Sequence, residues 1–383
     1  MEFKEYKIKD IAEIINGRAY KQEELLNAGK YKVLRVGNFF TSEKWYYSNL
    51  ELDDEKYCNK GDLLYAWSAN FGPKIWEENN TIFHYHIWKF KLKDGIDRDY
   101  LYYKLLNITD ELKKSTHGSV MMHLTKKEME DYAIKLPSYN IQKKVGLILS
   151  SIDKKIEENS QTNNNLQELI LTLYKKFIED NNDEEEVSLE DSVKKIGTGA
   201  DAIQRAPIVD YDTGIRCIRV GDMTNNRKCY EWGFTKMIDK DFDNYKLDIG
   251  DIVITRTAVN GIAYLIEDSM KVVCNNGLIR LKVNENYNPL YILLTMKTKD
   301  FYNYIHRIDS ETSVRPNMKV DYLTSYKIKK IPLEKQNQFC DMIKPMRKRQ
   351  KEIEHENNNL TQLRDTLLPK LMNGEIDLDK IEI

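Results

Sequence analysis

Leu34-Arg35-Val36-Gly37-Asn38 returns further along the chain as Ile218-Arg219-Val220-Gly221-Asp222, and that return decides how the molecule is built. Working outward, the same order of signals appears twice. Lys60-Gly61-Asp62-Leu63-Leu64 returns as Ile249-Gly250-Asp251-Ile252-Val253, and Ser119-Val120 as Ser313-Val314. Tyr132-Ala133-Ile134-Lys135 is matched by Tyr326-Lys327-Ile328-Lys329, and Asn163-Asn164-Asn165-Leu166 by Asn357-Asn358-Asn359-Leu360. The offset grows from about 184 to about 189 and then holds at about 194, as expected when loops vary in length and a packed helix does not. Two related units in one chain make a pseudo-symmetric molecule, suited to a target with two separated halves.

The 383 residues suffice for two domains, each with its own core. Lys plus Arg number 59 against 61 Asp plus Glu, so the chain is not cationic all over and any nucleic-acid contact must come from local patches. The cysteines Cys58, Cys217, Cys229, Cys274 and Cys340 form no CxxC pair and no repeat-matched framework, which points to reduced thiols and no structural zinc or other metal. The opening residues hold no apolar run of signal-peptide type, and no stretch has the length of a membrane span. A soluble, cytoplasmic protein is expected.

Each copy opens with a short extended segment (residues 6–8 and 187–189). A helix-like stretch follows, residues 10–15 ending at Asn16-Gly17 and residues 190–196 ending at Gly197. Residues 32–36, 62–67, 81–92, 214–220, 251–255 and 277–283 are rich in aromatic and β-branched side chains between Gly, Asn and Asp, and read as strands. Residues 99–113 and 290–306 read as helices. The fold class expected is α/β of the α+β kind: two pseudo-repeat globular units separated by two long helices.

Those helices announce themselves by alternating steps of four and three. Val145, Leu149, Ile152, Ile156, Asn159, Asn163, Leu166, Ile170, Leu173 and Phe177 form one seam. Phe339, Ile343, Met346, Gln350, Ile353, Asn357, Leu360, Arg364, Leu367 and Leu371 form the other. A heptad stripe is not stable alone in water, so the two helices are expected to pair as an antiparallel coiled coil, with Asn163 and Asn357 in the seam disfavouring slipped registers. The division that follows is 1–138 for the first globular unit, 139–180 for the first helix, 181–332 for the second unit and 333–377 for the second helix, with a tail at 378–383. Residues 179–186 form an acidic link.

Two α/β units, each followed by a proline-marked turn and a long helix, resemble the specificity subunit of Type I restriction-modification systems over almost the whole chain. The sharpest marks are Ile331-Pro332-Leu333-Glu334-Lys335-Gln336 and the weaker Leu136-Pro137-Ser138-Tyr139-Asn140-Ile141-Gln142, with Gly61-Asp62 and Gly250-Asp251 before apolar strands. The first copy departs from that pattern by lacking Glu at the helix entrance. The resemblance implies target recognition domains that each read one half of a bipartite, asymmetric site on double-stranded DNA, and helices that set the spacing and dock two modification (methyltransferase) subunits. It also implies a chain that is not itself an enzyme. S-adenosylmethionine, ATP and Mg would serve the modification and restriction (ATP-dependent translocase and nuclease) subunits of a bacterial or archaeal cytoplasm.

The residues agree with the lack of chemistry. Gly197-Thr-Gly199-Ala-Asp-Ala202 matches a GxGxxA loop on paper, but with a helix-like segment before it and no long amphipathic helix after it, it reads as a turn. No Asn-Pro-Pro-aromatic motif and no Gly-rich loop ending in Gly-Lys-Ser or Gly-Lys-Thr occurs. His84 and His86 alternate on one predicted strand face without a third ligand. Arg35 and Arg219, repeat-matched in strand-like runs, suggest structural ion pairs, and Trp45, Tyr46 and Tyr47 suggest a flap over the core.

For DNA contact the informative loops mix cations, amides and aromatics. In the first copy these are Arg18, Tyr20, Lys21, Lys44, Trp67, Ser68, Asn70, His117 and Ser119. In the second they are Thr198, Gln204, Arg205, Asn225, Arg227, Arg256, Thr257, Ser313, Arg315 and Asn317. Arg can bond guanine O6 and N7 together, Asn or Gln can do so to adenine, and Lys holds phosphate. The competing reading is a coiled-coil scaffold whose two domains bind protein instead of DNA.

Overall fold

The structure, a computed structural model, describes residues 2–41, 44–68, 71–115, 124–311, 317–376 and 378. It divides into two compact units, Met1–Ser160 with Glu354–Ile383, and Gln161–Ile353.

Burial on both faces builds the first unit's main sheet, with Ile14, Leu63 and Tyr65 in one apolar cluster and Ile15, Leu64 and Ala66 in another. Ala12, Ile14 and Ile15 are buried while Glu13 and Asn16 are exposed, and Ala12–Asn16 pairs antiparallel with Ile87–Leu92. Leu63–Ala66, buried throughout, lies on the other side of Ile87–Leu92 and carries Gly72–Ile75 at the edge. A second sheet runs Tyr46–Ser48, Tyr31–Leu34, Thr81–Phe83, Tyr57–Cys58, with its central pair parallel. Helix Arg98–Ser115 sends Tyr100, Leu101, Tyr103 and Leu105 into a core with Tyr65, Trp88 and Phe90, where each large side chain contributes about 1.5–3 kcal/mol. A two-stranded sheet of Lys4–Lys7 and Ala133–Leu136 completes the unit.

The second unit repeats the plan. Its main sheet runs Val193–Thr198, Leu278–Val283, Ile252–Thr255, Ala263–Leu265. Its second sheet holds Ile208–Val209, Phe234–Thr235, Arg216–Ile218 and Val272–Cys274, again with one parallel pair.

The long helices are Tyr139–Asp180 and Leu333–Met372, the second closed by Gly374 at φ +74°, where glycine fits without strain. Within the first unit Arg364 Nη1 donates to Asp153 Oδ1 at 2.9 Å, and Asn159 Nδ2 to Asn357 Oδ1 at 2.9 Å. Within the second, Gln350 Nε2 reaches the Asn163 carbonyl and Gln167 Oε1, both at 3.4 Å, and Phe177 stacks on Phe339 at 4.5 Å. Rising numbers on one helix meet falling numbers on the other in both units, so the pairing is antiparallel. The outer ends of the seam also belong to the globular cores: Val145, Leu149, Leu367 and Leu371 join the first core, Phe339 and Ile343 the second. Tyr174, off the seam pattern, is buried and shares a 2.6 Å hydrogen bond with Thr295.

Several local expectations change. Residues 10–15 and 190–196 are not helices: a single turn at Ile8–Ile11, and one at Leu189–Ser192, leads straight into the strands Ala12–Asn16 and Val193–Thr198. Sheet pairing of the β-branched Ile14-Ile15 outweighs a weak helical period. The Gly197–Ala202 segment therefore does follow a strand, and it continues into turns at 202–205 without any helix. Residues 81–92 break into two strands at His84-Tyr85-His86, which places both histidines on a turn. Residues 32–36 and 214–220 stop short as strands, at Leu34 and Ile218, and Val36 and Val220 begin short helices. Residues 290–306 form two helices, Pro289–Met296 and Lys299–Glu311. The amide partnering Asn357 is Asn159, while Asn163 keeps a buried Oδ1 without a partner. At the proline turns, the contact common to both copies is made by glutamine. Asp97 N donates to Gln142 Oε1 at 3.0 Å, and Asn288 N to Gln336 Oε1 at 2.8 Å, so the Glu absent from the first copy is not needed for it.

Candidate nucleic-acid interface

In each unit the same backbone bonds gather four chain segments at one end of the main sheet. In the first unit Arg18 N donates to Phe83 O, Tyr85 N to Arg18 O, His84 N to Leu34 O and Trp67 N to His86 O. In the second Ala200 N donates to Cys274 O, Asn276 N to Ala200 O, Asn275 N to Ile218 O and Arg256 N to Gly277 O. These bonds make Trp67 the counterpart of Arg256, Ser68 that of Thr257, and His84-Tyr85-His86 that of Asn275-Asn276-Gly277. They also pair Gly17 with Gly199, not with Gly197. A Cβ at Gly17 would stand 2.3 Å from the His84 carbonyl oxygen and one at Gly199 2.2 Å from that of Asn275, whereas one at Gly197 would meet nothing.

The first unit's loop end is aromatic and imidazole. Trp67 stacks on Trp88 at 5.6 Å, meets His86 edge-on at 5.0 Å, and donates its indole N–H to Tyr85 O at 2.8 Å. Burial, His86 and Arg35 together push the His84 imidazole down to about 4. Arg18 is bound by both guanidinium nitrogens to Glu24 at 2.9 and 2.7 Å, and that bond with the Lys21 amide pulls the Glu24 carboxyl down to about 2. Such a fork is already spent. The Tyr20 hydroxyl is buried without a partner, and burial raises its pKa. Lys21 and Lys44 are exposed, Lys44 over the Tyr46 ring, while Ser68 is buried. Trp45 packs on the core beside Trp76, as a flap would. Asn70, His117 and Ser119 lie outside the described residues.

The second unit's loop end is guanidinium and amide. Arg256 Nη2 donates to Asn317 Oδ1 at 2.8 Å and Nε to Met318 O at 3.3 Å, and Thr257 bridges to Asn317 through backbone, so these three sequence candidates do come together. Thr198 ends the strand before Gly199, and Asn275 Oδ1 is buried without a partner. Arg227 is drawn aside: buried Asp222 accepts from its Nη1 at 3.2 Å and from Arg219 Nε at 3.2 Å. Asn225 bonds back to Gly221 O, and Gln204 is exposed, its backbone N–H donating to Asp201 Oδ1. The ion pair expected at both repeat-matched arginines exists at Arg219, whereas Arg35 lies over the Tyr46 ring at 5.1 Å because Asn38 replaces the carboxylate of Asp222. Ser313 and Arg315 lie outside the described residues.

Arg205 belongs to a group that the sequence did not reveal. Its guanidinium lies 5.7 Å from the Tyr245 ring and bonds the phenol, while Arg280 stands 4.9 Å from the same ring and bonds Asn244 O at 2.7 Å. Among the described residues neither arginine has a carboxylate partner, and nor does Arg256. Residues 205, 245 and 280 are remote in sequence, so no local signal joins them. Among the described residues no group of three His, Cys, Asp or Glu could hold a metal ion, and no helix is long and apolar enough to cross a membrane.

The chain matches the family Type I restriction modification DNA specificity domain over residues 1–168 and 183–362. It is 25% identical over 359 residues to the Type I restriction enzyme MjaIX specificity subunit of Methanocaldococcus jannaschii, covering 84% of this chain and 79% of that protein. It is 32% identical over 103 residues to the MjaVIII specificity subunit of the same organism, covering 27% of this chain and 24% of that one. Its fold is similar to that of a Type I restriction-modification S subunit from M. genitalium, with TM-score 0.62, 15% identity, and coverage of 97% and 96% of the two chains.

Proposed function

This chain belongs to the Type I restriction modification DNA specificity family, and we propose that each unit's loop end reads one half of a bipartite, asymmetric DNA site. Residues 1–138 and 181–332 serve as the two reading domains. The long helices set their spacing and dock two modification subunits. Recognition is this chain's part, while methyl transfer with S-adenosylmethionine and ATP- and Mg-dependent cleavage belong to the modification and restriction subunits.

The observation that carries the reading is the pair of loop ends, alike in backbone bonds and unlike in side chains. A common frame with different donors and acceptors is what two different half-sequences require. Arginines without a carboxylate salt bridge among the described residues divide the work further. Arg205 and Arg280, spread over Tyr245, offer a sequence-blind grip on phosphate, and Arg256 with Thr257 and Asn317 faces base edges.

Selection of sites from a random DNA pool by the assembled complex tests this. Two unlike half-sequences at a fixed gap are expected, and a perfect palindrome overturns the asymmetry. Inserting one heptad after Leu166 and after Leu360 should keep the seam in register and lengthen the gap by roughly three base pairs, leaving both half-sequences unchanged. An unaltered gap in a folded complex would mean that the helices do not measure it.

A further inference from the structure

Arg256 and the first-unit residue at the same backbone position differ sharply in hydrogen-bonding capacity. Its first-unit counterpart, Trp67, has a single side-chain donor, and that donor is given to Tyr85 O. Arg256 has five. One goes to Asn317 Oδ1 and one to Met318 O, both from residues of a neighbouring segment that hold the guanidinium plane from its Nε/Nη2 edge. Nη1 and the second hydrogen of Nη2 have no partner among the described residues, and no carboxylate there neutralises the charge. The remaining donors form a planar fork, fixed in direction before any ligand arrives.

We propose that Arg256 reads a guanine in the half-site contacted by the second unit, with Asn317 as the residue that positions it. This rests on the DNA-reading role proposed above and adds a base identity to it. Of the four base edges in the major groove, guanine alone presents two adjacent acceptors, O6 and N7, which match two parallel N–H donors. Adenine would set its N6 amino group against one of those donors. The Asn317 amide oxygen favours this outcome in a second way, since it fixes the fork without cancelling its charge. Aspartate in the same place would form an ion pair, as Glu24 does with Arg18.

The test is site selection from a random pool by the complex with its modification subunits, for the wild type and for Arg256→Ala, Arg256→Gln and Asn317→Asp. In the wild type, one half-sequence contains a guanine that R256A renders degenerate, with about 5- to 150-fold loss on the original site and the other half-sequence unchanged. R256Q is expected to shift that same position toward adenine, since an amide bonds N6 and N7 together. N317D should weaken the guanine preference without substituting another base. Thermal unfolding of each variant accompanies the selection, and R256Q, which keeps a long polar side chain, carries the test if R256A fails to fold. The proposal is overturned if the variants select the wild-type sequence at every position. It is equally overturned if they lose affinity uniformly for all sequences, the signature of a phosphate contact. A wild-type complex that selects no sequence at all would instead overturn the recognition role itself.

Discussion

In the first unit the turn after Thr81–Phe83 reads His84-Tyr85-His86, and in the second the turn after Val272–Cys274, bonded the same way, reads Asn275-Asn276-Gly277. Around the first lie Trp67 and an Arg18 spent on Glu24, and around the second an Arg256 held open by Asn317. The backbone is the part that must fit the sheets, so it repeats. The side chains of the loop ends are not fixed by that backbone frame, and they differ. The helices show the same division on a smaller scale. Asn159 and Asn357 bond each other in the first unit, whereas the repeat offset places Ile353 where an amide would be needed to satisfy Asn163.

The equivalence of the two frames is most severely tested at the glycines. Gly17→Ala and Gly199→Ala should each destabilise by about 3 kcal/mol or more, because the new Cβ would overlap a backbone carbonyl that cannot move without breaking the turn. Gly197→Ala should be nearly neutral. Denaturant unfolding of the three variants decides it, and a Gly197→Ala as damaging as Gly199→Ala would undo the pairing of the loop ends.

A smaller effect separates the two helix amides. Asn159→Leu removes the partner of Asn357 and should cost about 1 kcal/mol, while Asn163→Leu removes a buried unpartnered side-chain Oδ1 and should gain about as much. Melting temperatures that shift in the same direction would erase the distinction.

Smallest, and confined to acid, is the effect of exchanging the turn residues. The unfolded His84 side chain takes up its proton near pH 6.5, whereas the folded one resists until about pH 4. As pH falls through that window the unfolded state binds more protons, so stability falls with it. His84→Asn, which supplies the second unit's residue, should flatten this slope and gain about 1 kcal/mol at pH 5 relative to its effect at pH 7, the partly exposed ring being screened in part by solvent. Unfolding curves at the two pH values measure it, and an undiminished slope in the variant would assign the acid sensitivity elsewhere.

The duplication, the two long helices and their antiparallel seam were legible because they are carried by order and period along the chain, which survive any change in loops. The openings of each copy were not, because Ile14-Ile15 suits a helix stripe and a strand buried on both faces alike, and only pairing with Ile87–Leu92 settles the choice. The grouping of the candidate residues was legible in part. Arg256, Thr257 and Asn317 stood out as polar loop residues and do meet, whereas Tyr245 and Arg280 look like ordinary members of a helix and a strand.

Sequence alone determined that this chain holds two units of one plan joined to paired helices, since hydrophobic spacing and glycine placement act over a few residues and need no knowledge of the rest. Tertiary structure alone decided which cations remain available. Whether a guanidinium is cancelled depends on a carboxylate within a few ångströms in space, and Glu24 beside Arg18, Asp222 between Arg219 and Arg227, and Asn317 in the place of an acid beside Arg256 are positions that only the folded chain supplies.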